Sequence, residues 1–365
     1  MGAKEQYMAG AGDVEAVVTG LREALAAGWD DYVSRHPEGT GYHRLAWLES
    51  VARAYGHRGW CVLAMTPNGN LVGVLPLCEF RIPFLGAHWV SLPFCDLGGP
   101  LASSHAASTA LRAAAQGLVR ERGGKGLRLR LPGPKLDEEG AAKAPKVSML
   151  CPLPQSSDAL FKSYKPKLRS QIRKAEKNGL IGEVTSSPEA IRAFYPVFAA
   201  NMHRLGSPVH SLGWFLALQR AYGDQLLVGL VRLENQTVGA GIVLLNGQRA
   251  CIPWASTLPE YNRLAPNMLL YWQLLEHVTD RGCRLFDFGR STPDEGTYRF
   301  KKQWGAEPHE LRWLDLDPDG EPREADSQAS GHGGKLRAFA ENTWQRLPLP
   351  LANTLGPAVR RYISL

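Results

Sequence analysis

The sequence predicts two tandem α/β domains, each a mostly antiparallel central sheet flanked by helices. Three observations predict it. The 365 residues are 44% hydrophobic, enough for two cores. A stretch of fourteen residues occurs twice. The same order of apolar runs follows each copy.

The repeat is "HRLAWLESVARAYG", His43 to Gly56, lying over "HSLGWFLALQRAYG", His210 to Gly223, with seven of fourteen positions identical at an offset of 167. Each copy reads as a helix. "CVLAMTPNGNLVGVLPL" and "LLVGLVRLENQTVGAGIVLL" follow, each two apolar runs around a polar turn, which is the pattern of a β-hairpin; Asn68-Gly69 supplies the first turn. A second helix comes next, "TALRAAAQGLVRERG" or "NMLLYWQLLEHVTDRG", and leads through glycine into a short strand, "LRLRL" or "RLFDF". Helix, hairpin, helix, strand therefore occurs twice. The expected boundaries are a first domain over 1–155, a second over 156–315, and a polar linker and tail over 316–365.

The second domain opens on "KSYKPKLRSQIRKAEKNGL". Pro166 starts a helix and Gly179 ends it, Leu168, Ile172 and Ala175 form a narrow apolar stripe, and Lys167, Arg169, Arg173, Lys174 and Lys177 cover the rest. Glu176 alone offers an opposite charge, so pairing within the helix does not account for the pattern; phosphate binding is expected of Arg169, Arg173 and Lys174, against the plainer reading of a solvated connector. The net charge of +7 favours anionic partners such as nucleic acid, nucleotides, lipid head groups or sugar phosphates without choosing among them, and an anionic sugar-phosphate or lipid-linked acceptor is expected.

The second domain closes on "LFDFGRSTPDEGTYRFKKQWG". Phe286 and Phe288 alternate around Asp287, and the strand breaks at Gly289 into a loop rich in charge. Beyond Asp315 the chain turns polar, in "LDPDGEPREADSQASGHGG", and then mixes apolar residues with Arg346, Arg360 and Arg361; docking on the body is expected there, with peripheral membrane contact as the other reading.

Several chemistries are disfavoured. No GxSxG elbow, HExxH pair or GxxxxGK[ST] loop occurs. The six cysteines lie in apolar surroundings without a CxxC pair and read as reduced core residues, and no metal site is expected. His43 and His210 hold equivalent repeat places and are expected to cap or pack. With no run of eighteen apolar residues and no leader pattern, the protein is expected to be cytoplasmic, soluble or loosely peripheral.

From the repeat, "KLRSQIRKAEKNG", "PWASTLPEYNRLAPNMLLYWQLLEHVTDRG" and "FDFGRSTPDEGTYRFKKQWG", the chain resembles the Fem (FemAB/FemX-like) aminoacyl transferase family over Tyr42 to Trp313. It looks closest to the branch associated with exopolysaccharide and exosortase loci. The resemblance implies two tandem GNAT-like acyltransferase domains. It implies amide formation between an activated aminoacyl or acyl group and a primary amine on a cell-wall, polysaccharide or related acceptor, with no permanently bound cofactor. Aminoacyl-tRNA is the donor in well-known members, and peptidoglycan precursors are their acceptors. Lys301 matches the family's Phe-Lys pattern in "YRFKKQWG" and is expected to bind phosphate or stabilise the oxyanion.

Asp287 is expected from its strand-end place to orient or deprotonate the amine, against a simple pairing with Arg290 or Arg263. Arg130, in "LRLRL", is matched to Asp287 in the first copy. Trp254, Arg263, Asn267, Arg290, Ser291 and Tyr298 complete the expected substrate site, with Trp254 as readily core. At "YNRLAPNMLL" Ala265, Pro266 and Asn267 replace the glycines of a CoA pyrophosphate turn, which favours a Fem-like or carrier-bound donor over free acetyl-CoA. The other readings are an N-acyltransferase using acyl-CoA or acyl carrier protein on an amino sugar, and a non-catalytic module binding an anionic ligand.

Overall fold

The computed structural model describes residues 9–10, 14–82, 86–323 and 332–364. The chain forms two compact units, one of Met1–Gly133, Leu311–Gln328 and Arg361–Leu365, the other of Pro134–Glu310 and Ala329–Arg360.

In the first unit the repeat helix Leu45–Tyr55 ends on Gly56, whose φ of 73° suits a left-handed C-terminal cap. The hairpin Arg58–Met65 and Leu71–Ile82 follows, flanked by Glu15–Thr19 and Gly86–Val90, all antiparallel. Helix His105–Glu121, capped by the Ser104 hydroxyl accepting from Ala107 N–H, then crosses over so that Leu127–Lys135 runs parallel to Gly86–Val90. Ala107, Leu111, Ala114 and Leu118 recur at helical spacing and close the core over Val62, Leu75, Leu127 and Leu129.

The second unit repeats this order. Helix Leu212–Tyr222 ends at Gly223, and the hairpin Leu226–Leu233 and Gln236–Asn246 is flanked by Leu180–Thr185 and Arg249–Thr257, again antiparallel. Helix Pro266–Asp280 crosses over to Leu285–Ser291, parallel to Arg249–Thr257. That helix packs closely because Gly229 faces it, where an added Cβ would lie 2.8 Å from Leu274 Cδ2. Strand Val147–Pro152 then pairs antiparallel with Leu285–Ser291 and, on its other side, with Glu307–Glu310.

These pairings shift the division from the one read in the sequence. Residues 134–155 sit with the second unit because Val147–Pro152 pairs with Leu285–Ser291. The stretch from 316 is not one tail. Leu311–Leu316 continues a strand, helices His332–Arg346 and Leu349–Arg360 dock on the second unit, and Arg361–Ser364 belong to the first. Residues 324–331 of the polar stretch lie outside the described residues. Docking is specific: His203 Nε2 lies 2.8 Å from Leu347 O, and Gly356 approaches Val209 so closely that a Cβ would meet its Cγ1 at 2.8 Å. All six cysteines are buried, and none forms a disulfide with another.

The repeat histidines pack and cap. His43 Nδ1 lies 2.8 Å from Thr40 Oγ1 and its Nε2 3.1 Å from Gly99 O. His210 stacks on Trp214 at 5.6 Å, and its Nε2 accepts from Arg360 Nε at 3.1 Å, which requires the neutral ring. Burial first, and the Arg360 charge second, hold His210 well below the usual 6.5. Since the unfolded chain binds this proton more readily, His210 contributes its full stability above about pH 6.5 and loses it as pH falls further. Thermal melts from pH 7.5 to 5 should therefore show a smaller acid loss in His210→Gln, which still accepts from Arg360, than in the parent protein; parallel losses would disprove the linkage.

Candidate functional site

The parallel pairing of Arg249–Thr257 with Leu285–Ser291 covers three rungs, Arg249/Leu285, Ala250/Phe286 and Cys251/Asp287. Beyond Cys251 the first strand continues along Gln236–Asn246 to Thr257, while the second stays with Val147–Pro152. The two strands therefore part immediately after Asp287, and sites in open α/β sheets form where neighbouring strands diverge at their carboxyl ends.

Asp287 is 8% exposed at this point. Its Oδ1 accepts from Ser148 Oγ at 2.9 Å and from the Gly289 backbone N–H at 2.7 Å. The second bond closes a turn of the Asx kind, and Gly289 takes a φ of 72° that glycine adopts without a Cβ clash. The ladder slips there: Asp287 faces Leu150, and the next pair is Arg290 with Ser148. The bulge turns the Gly289 and Arg290 carbonyls toward Lys301, whose Nζ donates to them at 3.0 and 2.8 Å. Lys301 stands on helix Gly296–Gln303 and is 8% exposed, whereas neighbouring Lys302 turns outward to Glu138 at 3.0 Å. The Glu138 hydrogen bond and charge push Lys302 upward in pKa. Asp287, Gly289, Arg290 and Lys301 are thus one hydrogen-bonded group.

Ser291 follows in the same strand, and its hydroxyl is buried without a hydrogen-bond partner among the described residues. Tyr298, one turn before Lys301, is 6% exposed and packs in the core of the second unit. An aromatic cluster underlies the strand: Tyr271 stacks on Phe288 at 5.6 Å and meets Phe300 edge-on at 4.9 Å, while Tyr164 meets Trp304 edge-on at 5.4 Å. Burial raises the Tyr164 and Tyr271 hydroxyls far above the usual phenol range, so both stay protonated.

The remaining expected residues fall elsewhere. Trp254 packs edge-on against Phe215 at 5.0 Å and His210 at 6.1 Å, in an aromatic cluster of its own. Arg263 is exposed in the 3₁₀ turn Pro259–Leu264. Asn267 follows Pro266 at the start of helix Pro266–Asp280, which lacks a side-chain cap and begins on Ala265 at φ 63°. Proline at the first helical position removes one of the N–H groups that would cradle an anion. Helix Pro166–Lys177 buries Leu168, Ile172 and Ala175, as its stripe requires. Its flank forms a groove of about 460 Å³ lined by Arg169, Arg173, Lys174 and Lys177, where Arg169 Nε is buried and makes no hydrogen bond among the described residues. Arg173 also lies over the Phe161 ring at 5.3 Å. Ser148 escaped the sequence reading, since a lone serine in "KVSMLCP" carries no signal of its distant partner.

The repeat match of Arg130 to Asp287 is corrected. Leu127 and Leu129 enter the first core as Phe286 and Phe288 enter the second, and the last parallel rungs are Val90/Arg128 and Cys251/Asp287. Arg128 therefore holds the acid's place. Arg130 is fully buried and donates to Cys95 O and, at 3.0 Å, to Ser364 O. Among the described residues no group of three metal-binding side chains converges, and no helix is long and apolar enough to cross a membrane.

Comparison with known proteins agrees with this topology. The family model described as an acetyltransferase (GNAT) domain matches residues 162–302. No curated protein matches in sequence. Among solved structures, FemX is similar with a TM-score of 0.63 at 16% identity, covering 82% of this chain and 97% of that one. The C-terminal domain of a putative lysylphosphatidylglycerol synthetase from Agrobacterium fabrum gives 0.50 at 13%, covering 88% and 96%. A tandem GNAT protein from the clavulanic acid biosynthesis pathway gives 0.49 at 15%, covering 85% and 100%. Residues 162–302 of the second unit thus resemble an acetyltransferase (GNAT) domain, the first unit repeats the second unit's strand order, and the chain shares its fold with FemX.

Proposed function

We propose that the second unit forms an amide between an activated aminoacyl or acyl group and a primary amine. The observation that carries this reading is the group at the parting strands, where a buried carboxylate and a buried ammonium are tied to one strand end, Asp287 through the Gly289 N–H and Lys301 through the Gly289 and Arg290 carbonyls. Amide formation needs an acceptor that loses a proton and a tetrahedral oxyanion that gains charge. Asp287 takes the first role, by orienting and deprotonating the amine. Lys301 serves the second, by its charge beside the carbonyl under attack. The attacking nitrogen forms the C–N bond and gives up its proton to Asp287, the donor's ester or thioester bond breaks, and the departing oxygen or sulfur takes that bond's electron pair and the proton, leaving as alcohol or thiol.

The glycine-poor start of helix Pro266–Asp280 and the cationic groove of Pro166–Lys177 support aminoacyl-tRNA as the donor. FemX, the neighbour with the TM-score of 0.63, is compatible with such a donor in fold only. A cell-wall or polysaccharide amine at the inner membrane face is the acceptor class in this reading. The second reading, an acyl-CoA or acyl-carrier donor on an amino sugar, is favoured by the acetyltransferase model over 162–302. Incubation with charged tRNA, with and without ribonuclease, beside a panel of acyl-CoAs separates the two: ribonuclease-sensitive consumption of an amine supports the first, and transfer from acyl-CoA alone sinks it.

The triple variant Arg169→Ala, Arg173→Ala, Lys174→Ala is expected to bind tRNA about tenfold or more weakly at low salt and to flatten the dependence of affinity on salt by about two log units per log unit. Its melting temperature should hold, since Arg173 and Lys174 are exposed and the buried stripe is untouched. Unchanged binding and salt slope would reduce the helix to a solvated connector.

A further inference from the structure

Of the eight large apolar side chains exposed among the described residues, six belong to one part of the second unit: Leu205, just past helix Pro188–Arg204, Phe339 on His332–Arg346, and Leu349, Leu351, Leu355 and Val359 on Leu349–Arg360. Both C-terminal helices pack on Pro188–Arg204. Leu349–Arg360 does so through small residues, burying Ala352 and Gly356, with Gly356 close against Val209. Leu351, Leu355 and Val359 recur every four residues and form a second stripe beside that contact, left in solvent. His332–Arg346 meets the turn after Arg204, where Gln345 Nε2 donates to Arg204 O at 2.9 Å and a Cβ on Gly206 would stand 2.6 Å from Glu341 O. Phe339, 72% exposed, shares the outer face of that helix with Arg346, two turns on.

Exposed apolar side chains gathered in this way mark a surface that meets something, and the charges say what. Leu349–Arg360 contains no Asp or Glu. Over 332–360 the chain carries Lys335, Arg337, Arg346 and Arg360 against Glu341 alone, and Arg204 and Arg346 are exposed. A symmetric pairing of two copies through this face would set like charges against each other. An anionic lipid surface instead takes both features, apolar groups at its acyl boundary and cations at its phosphates. We propose that the two C-terminal helices dock the chain on an anionic bilayer, with Phe339, Leu351, Leu355 and Val359 below the headgroups and Arg204 and Arg346 among them. Leu349–Arg360 is about 18 Å long at about 1.5 Å per residue, short of a hydrocarbon core of about 30 Å, so it lies in the interface and does not cross it. The surface shares no residue with the Asp287 and Lys301 group.

Co-sedimentation of the full chain with vesicles of phosphatidylcholine, and of phosphatidylcholine with about 30% phosphatidylglycerol, tests this without donor or acceptor. Binding is expected to be about tenfold or more tighter to the anionic vesicles and to weaken as salt rises. The variant Phe339→Ser, Leu351→Gln, Leu355→Gln is expected to lose that binding by about tenfold or more. Its melting temperature should hold, because the altered side chains are exposed and Ala352 and Gly356 remain. Arg346→Glu, which leaves the apolar stripe intact, is expected to weaken anionic binding by about fivefold or more at low salt. Equal binding to the two kinds of vesicle would overturn the proposal. So would anionic binding that survives the apolar variant and is lost in Arg169→Ala, Arg173→Ala, Lys174→Ala, which would move the contact to helix Pro166–Lys177. Sedimentation velocity supplies the third outcome against it: a dimer of the parent chain that the apolar variant dissociates would assign the face to a second copy. Because no transfer is measured, failure here leaves the amide chemistry of the second unit standing, and the reverse holds equally.

Discussion

Asp287→Asn is expected to lower the rate of amide formation by about 10²–10⁴-fold, the span of a lost general base, and to leave the melting temperature within about 2 °C of the parent protein. The argument for both halves is geometric. Asn keeps an Oδ1, and that atom can still accept from Ser148 Oγ and from Gly289 N–H. The turn, the bulge and the carbonyls that hold Lys301 therefore stay in place. What goes is the negative charge and the capacity to take a proton at neutral pH. Asp287→Ala differs: it leaves the Ser148 hydroxyl and the Gly289 N–H unpaired at a buried point, at about 1–3 kcal/mol for each such group, and so mixes misfolding with lost chemistry. Single-turnover rates of the Asn variant, measured with saturating donor and acceptor, decide the role. Rates near those of the parent would reduce Asp287 to an anchor of the turn and return the proton to solvent.

The parts of this site that were legible in the sequence are those with a local signature. The apolar stripe Leu168, Ile172, Ala175 follows from helical period, and the structure buries those three residues. The alternation Phe286, Asp287, Phe288 places the acid on the other face from the core, which is where Ser148 meets it. The parts that were not legible depend on pairings across long stretches of chain. Val147–Pro152 reads as an apolar run like any other, and only its partner Leu285–Ser291, about 140 residues on, assigns it to the second unit. Ser148 becomes a site residue by that pairing alone. The match of Arg130 to Asp287 failed for a related reason. The two strands share their alternation but not their residue-for-residue alignment, and the ladder to the preceding strand, which sets the register, is a tertiary fact. Trp254 shows the limit of composition: an aromatic near a strand end serves a cleft or a core equally well, and here it packs on Phe215 and His210.

Lys301→Met is expected to reduce both turnover and stability, and the split between the two losses separates its roles. The side chain is 8% exposed, and two of its three ammonium hydrogens go to the Gly289 and Arg290 carbonyls. Met fills similar volume without donating, so both carbonyls lose a charged partner, a loss of about 1.5–3 kcal/mol for each such bond and a drop of several degrees in melting temperature. At most one ammonium hydrogen remains for the reacting carbonyl, and a lost oxyanion donor lowers turnover by about 10²–10³-fold. Lys301→Arg supplies the control, because the guanidinium keeps the charge and can donate to both carbonyls, while its planar fork is longer and cannot aim a single point charge as the ammonium does. If Lys301 only pins the strand end, Arg restores stability and turnover together. If its charge faces the oxyanion, Arg restores the melting temperature while turnover stays depressed at saturating substrates, and the loss appears in kcat with KM little changed, because the contact forms in the transition state alone. A fall in KM-dependent binding with kcat intact would move Lys301 from the reacting centre to a phosphate of the donor, the other role its charge permits.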